Sequence, residues 1–151
     1  MIMGRFKNVS TKNLFTSEVF KYLFFGVLAT VVYLVCRLVM YAISGEATLS
    51  ALVANVAAIL FAFVTNDIYV FNQVRQGWLQ RFIKFVIARI FTLLLDVFLA
   101  YLLVEKFPSL IGQFVHQNLS LVNTIETLLG QVLVIVLNYI LSKLFIFKNS
   151  K

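Results

Sequence analysis

The sequence predicts an all-α integral membrane protein with four transmembrane helices, arranged as two helical hairpins. Three observations predict it. Of 151 residues, 62% are apolar and the mean hydropathy is strongly positive, more apolar surface than a soluble core of this size can hide. Four apolar runs, near residues 20–44, 49–71, 82–104 and 125–147, are long enough to cross a bilayer, because about 20 residues rising 1.5 Å each span the hydrocarbon. The third observation is a duplication, set out below.

Taken in order, residues 1–16 read as a polar tail. Its length, and that of the run after it, argue against a secretory signal. Thr16 or Ser17 is predicted to cap the first span, with Glu18 in its first turn. That span carries Cys36, the only cysteine, so no internal disulfide can form. A short connection around Glu46 leads to the second span, and a basic one holding Arg75 and Arg81 leads to the third. Residues 105–124 form the one long connection and hold the only proline, Pro108. Within it Leu110, Ile111, Phe114, Val115, Leu119 and Val122 have helical spacing, which predicts an interfacial or re-entrant helix. Asn8-Val-Ser10 and Asn118-Leu-Ser120 fit a glycosylation sequon, a triplet common by chance. The whole chain reads as a single membrane domain.

Lysine and arginine positions set the orientation. Arg5, Lys7, Lys12, Lys21, Arg75, Arg81, Lys84, Lys143, Lys148 and Lys151 fall on one side of the spans, and Lys106 alone belongs to a loop on the other. Both termini are therefore expected in the cytoplasm of a cell whose plasma (inner) membrane holds the protein, with the Glu46 and Pro108 loops outside. Topology accounts for the net charge of +7, and no nucleic acid partner is expected. Phe20, Tyr22, Tyr69, Phe71, Trp78, Phe145 and Phe147 gather at the cytoplasmic span ends as an aromatic belt.

The segment FVTNDIYVF at 63–71 matches YILSKLFIF at 139–147 in pattern, and Asn55 aligns with Gln131 in the same register of 76. At the starts of the odd spans KYLFFG (21–26) matches KFVIAR (84–89) in a register of 63, so the second half carries 13 extra residues, in the outer loop. The spans thus form two hairpins that both return to the cytoplasm, a parallel repeat about an axis along the membrane normal.

Polar residues inside the apolar runs are the functional candidates, since each costs a few kcal/mol there. Arg89 lies about a turn and a half inside the third span, counted from Lys84. Its stem can snorkel to the headgroups, or its fork can face the bundle and bind a phosphate through paired, charge-assisted bonds. Asn66 and Lys143 close their spans at a similar depth and would add donors; Asn66 has interhelical hydrogen bonding as its alternative role. Asp96 sits near its span centre, seven residues and roughly 10 Å along the axis from Arg89. Arg37 is the candidate partner for Asp96, as a structural ion pair or as a relay in which Arg37 receives a phosphate when Asp96 releases it. Asn138 and Gln131, seven apart on one face, would make an amide seam with Asn55 and Asn66. No paired carboxylates, nucleophile–histidine arrangement, phosphate-cradling glycine loop or metal-ligand spacing is visible, so neither an enzyme nor a metal or other cofactor is expected. His116, the only histidine, reads as a surface residue.

Lys-Tyr/Phe-x-x-x-Gly/Arg opening the odd spans and Asn-x-x-x-Val/Ile-Phe closing the even ones resemble the GtrA-like family of bacterial membrane proteins, across Phe20 to Lys148. That resemblance implies movement of a polyprenyl-phosphate-linked sugar from the cytoplasmic to the outer leaflet, for glycosylation of a cell-surface polymer. It also implies that Ala62, Asn66, Val70, Phe71, Phe85, Arg89 and Asn138 occupy the family's important places. Two positions depart from the pattern. Asp67 stands where members often carry a basic residue, which only Lys143 retains in the other half. Tyr33 stands where an acid is frequent, its repeat-mate being Asp96. The substrate-binding set expected is therefore Arg89, Asn66, Asn138, Lys143, Phe85 and Phe71, in a homo-oligomer, since four helices enclose little volume. A membrane glycosyltransferase is a candidate partner. Two alternatives stay open: a small-cation or drug transporter using Asp96, and a scaffold that holds a glycosyltransferase without transporting anything.

Overall fold

The computed structural model describes residues 11–148. Arg5, Lys7, Lys151 and the sequon at Asn8 lie outside them. Helices α1 (Thr11–Ser44), α2 (Ala47–Thr65), α3 (Trp78–Ala100), α4 (Ser109–Gly112) and α5 (Leu119–Leu141) follow in order, with π-helical stretches at Asn66–Val70, Tyr101–Lys106 and Ser142–Ile146. Among the described residues, four helical segments are long and apolar enough to cross a membrane: Thr16–Ser44, Ala47–Val70, Trp78–Lys106 and Leu119–Ile146. The all-α, four-span architecture predicted from composition is thus the one observed. The chain divides into two compact units at Gln76/Gly77.

The first unit is the α1–α2 hairpin. The helix is already formed at Thr11, so Thr16 and Ser17 lie within it rather than capping it. It turns at Gly45, whose φ of 70° suits a residue without Cβ. The Gly45 amide donates to Tyr41 O (2.8 Å) and the Ser50 hydroxyl to Glu46 O (2.6 Å), which tie both helix ends into the turn. Ser50 and Ala54 are fully buried. Small side chains let two helices approach closely where lipid supplies no hydrophobic drive. At the other end Phe25 of α1 stacks on Tyr69, with ring centroids 5.5 Å apart.

The second unit pairs α3 with α5. α3 starts after Gly77, which has φ 77°. Its span closes in the π stretch Tyr101–Lys106, and the short helix α4 and a turn with positive φ at His116 and Gln117 follow. Asn118 then caps α5, its side chain accepting from the amides of Ser120 (3.0 Å) and Leu121 (3.3 Å). That cap starts the fourth span at Leu119 rather than near 125. Leu119 and the fully buried Val122 therefore belong to α5, and four residues of the connection are α-helical.

Both even spans finish alike. The Phe71 amide reaches Asn66 O (2.9 Å) and the Phe147 amide reaches Ser142 O (2.8 Å), each five residues back. These π stretches are 76 residues apart, the register of the sequence repeat, and are compatible with a duplicated hairpin. In hydrocarbon every amide must keep a partner. Widening the last turn turns the terminal phenylalanine to a new direction without freeing a backbone group. Both phenylalanines are buried.

Candidate functional site

In the first hairpin, Asn66 is the most notable polar residue. It is 4% exposed, and its amide donates to Ala62 O at 2.7 Å. That carbonyl also receives the Asn66 backbone N–H and the Thr65 hydroxyl (3.2 Å). The Asn66 side-chain oxygen has no hydrogen-bond partner among the described residues, and a buried acceptor left so costs about 1–3 kcal/mol. Phe71, one turn on, is buried, as is Asp67. Arg37 is exposed on α1; its guanidinium donates to the Tyr33 hydroxyl at 2.8 Å and lies 5.8 Å from that ring centroid. Asn55 is exposed and donates to Ala51 O (2.9 Å).

In the second hairpin, Arg89 and Phe85 come together. The guanidinium carbon lies 4.6 Å from the centre of the Phe85 ring, which is itself buried. Side chains on a helix lean toward its N-terminus. The Arg89 charge is therefore carried about one turn back along α3, toward Lys84. Asn138 has a different employment: its side-chain oxygen accepts from the Thr92 hydroxyl at 2.9 Å, a buried bond from α5 to α3. Gln131, seven residues away, is exposed. Lys143 donates to the Tyr139 hydroxyl (3.3 Å) and packs against that ring.

Beside these residues an open groove of about 450 Å³ runs along the second hairpin. Lys84 and Lys148 line it together with Ile87, Phe91, Leu141 and Phe145. The Lys148 ammonium lies 5.8 Å from the Phe145 ring centroid. Two cations beside an apolar trough suit a ligand with an anionic head and a hydrocarbon tail. The sequence shows both lysines as topology signals only. Their shared groove depends on the π turn at Ser142–Ile146, which no periodicity announces.

A second constellation also escapes the sequence reading, which finds no paired carboxylates. Asp96 of α3 and Glu126 of α5 converge on Gly130: a Cβ built there would lie 3.0 Å from Asp96 Oδ1 and 3.3 Å from Glu126 Oε1. Glu126 is 4% exposed. Placed at the margin of a span starting near 125, it looks like a loop residue. With α5 starting at Leu119 it lies two turns inside the membrane segment.

Comparisons with known proteins agree with this architecture. Residues 21–147 match the family model for the GtrA/DPMS transmembrane domain. An uncharacterised membrane protein of Bacillus subtilis (strain 168), YwcD, is 31% identical over 137 residues, covering 86% of this chain and 96% of that protein. The cell wall teichoic acid glycosylation protein GtcA of Listeria monocytogenes serovar 1/2a is 30% identical over 138 residues, covering 89% of this chain and 87% of its own. No solved structure matches. On a match running through all four spans, this chain belongs to the GtrA/DPMS transmembrane-domain family and is a multi-pass membrane protein.

Proposed function

We propose that the protein carries a polyprenyl-phosphate-linked sugar from the cytoplasmic to the outer leaflet, supplying donor for glycosylation of a cell-surface polymer. The groove along the second hairpin is the observation that carries this reading. Its ammonium groups at Lys84 and Lys148 would receive the lipid phosphate, and the wall of Ile87, Phe91, Leu141 and Phe145 would take the first isoprene units. The tail can stay in lipid throughout the journey; only the phosphate and sugar need polar company across the hydrocarbon.

Arg89 would take the phosphate deeper. Its fork is displaced toward Lys84 by its seat over Phe85, and a guanidinium offers paired bonds to phosphate oxygens. Asn66, with an unmet acceptor, is suited to a sugar hydroxyl. In the second hairpin Phe85 would seat the guanidinium and Lys143 would add positive charge; in the first, Phe71 would join Asn66 in contacting the substrate. Asn138 would act indirectly, through its bond to Thr92. The distribution of lysine and arginine favours cytoplasmic termini in the plasma membrane. The relative whose name concerns teichoic acid favours a wall polymer as the acceptor. The chain is read as a carrier rather than a catalyst, acting as a homo-oligomer; a purified protein that stayed monomeric in nanodiscs would remove that last element.

Leaflet-resolved labelling of the donor lipid tests the proposal. Deleting the gene should remove a sugar from the envelope polymer and leave the lipid-linked donor trapped in the inner leaflet. Loss of the sugar with the donor normally distributed would instead make the protein a scaffold for the glycosyltransferase.

A further inference from the structure

The site proposed for the lipid makes no use of Asp96 and Glu126, yet both stand inside membrane-spanning segments. Each points an oxygen at the space over Gly130, where a methyl group would press on both, at 3.0 Å from Asp96 Oδ1 and 3.3 Å from Glu126 Oε1. Glu126 is almost wholly buried. Among the described residues of this hairpin, neither carboxyl has a hydrogen bond or an ion pair.

On α3, Arg81 and Lys84 stand in its first two turns, and Arg89 lies on the face of Asp96 but two turns away, its guanidinium over Phe85; His116, before α5, is exposed. The π stretch after α3 contributes Tyr101, Glu105 and Lys106, the last two exposed near its end. Beyond α5, Lys143 is committed to Tyr139. α4, with the sequence SLIG, carries no titratable side chain. Among the described residues of the hairpin no ion pair joins a cation to either acid. Two acidic groups that reach one small space in a medium of low dielectric can share a single proton.

We propose that Asp96 and Glu126 form a single proton-binding site, one carboxyl donating to the other, whose proton exchanges with water on the side of the 107–118 loop. On release the proton passes to a water molecule, and the pair gains one negative charge. Glu126 is the buried member and Asp96 the half-exposed one. Gly130 keeps the space in which the two acids meet. The site would stand whatever the protein carries, and it supplies what coupling to a pH gradient requires.

Infrared difference spectroscopy on the full chain in lipid nanodiscs tests this without reference to transport. The proposal expects one protonated-carboxyl carbonyl band, sensitive to deuterium oxide, that disappears as the buffer is made alkaline. The band should be absent from the isosteric double variant Asp96→Asn, Glu126→Gln. Each single variant should move its titration by tenfold or more in proton concentration. Gly130→Ala, which keeps both acids but crowds them, should shift the band frequency; it serves if the acid variants do not fold. Three results would overturn the site: no such band once exposed carboxyls are ionised, a band that survives the double variant, or a band that neither titrates nor exchanges. The last would make the proton a fixed structural bond. Failure of lipid movement in cells would leave the band in place, so the two proposals fail separately.

Discussion

Asn66 and Asn138 are each a buried asparagine near the end of an even-numbered span, one per hairpin, and the structure gives them opposite employments. Asn138 accepts from Thr92 on the facing helix and so joins α3 to α5. Asn66 turns its amide back onto its own helix and leaves its oxygen unmatched. An amide in hydrocarbon is expensive without a partner. The first is therefore explained by architecture, whereas the second is not. Residue type and depth raise suspicion equally for both; only the direction of the side chain separates a fastener from a candidate binding group.

The contrast between hairpins can be broken most forcefully at their charged ends. Lys84→Gln with Lys148→Gln removes both cations of the groove and should lower delivery of the lipid-linked sugar by tenfold or more, as about 1.5–3 kcal/mol is at stake for each charge-assisted bond. Lys21→Gln, the counterpart of Lys84 in the first hairpin, should change it less than about threefold, because the phosphate contacts are assigned to the second hairpin. Quantifying sugar on the envelope polymer checks both.

The asparagines themselves come next. Asn138→Leu should destabilise the protein by about 1 kcal/mol, the scale of an interhelical side-chain bond in membranes, as read by unfolding in mixed micelles. Asn66→Leu should be close to neutral in that assay, within about 0.5 kcal/mol, because it removes an unmatched acceptor together with one weak bond. It should nonetheless reduce sugar delivery. Equal stability losses in the two variants would erase the distinction drawn here. Thr92→Val takes away the same interhelical bond as Asn138→Leu and leaves the buried Asn138 oxygen without its donor, so it should cost about 1 kcal/mol or slightly more in the same assay.

The four spans and the matching ends of the even ones could be read from residues alone, because lipid imposes its length requirement on every stretch of chain independently. Partner choice was not open to that reading. Spacing of seven aligned Arg89 with Asp96, but Arg89 settles over Phe85 and Asp96 meets Glu126, thirty residues away. Such pairings depend on how α3 and α5 are rotated about their axes, and neither helix has a polar face sharp enough to fix that rotation by inspection. The start of α5 was missed for a related reason. A single asparagine cap outweighed the mixed composition of residues 119–124.

The widened turns at Asn66–Val70 and Ser142–Ile146 carry a consequence for how this chain tolerates length changes. A π turn is what remains when a helix swallows one surplus residue instead of looping it out. Loss of one residue there can be repaired by rewinding to ordinary α pitch, leaving the terminal phenylalanine on its original face. The same loss in mid-span would swing everything beyond it by about 100°. Single-codon deletions should therefore survive in these two short windows and be purged from the rods that precede them.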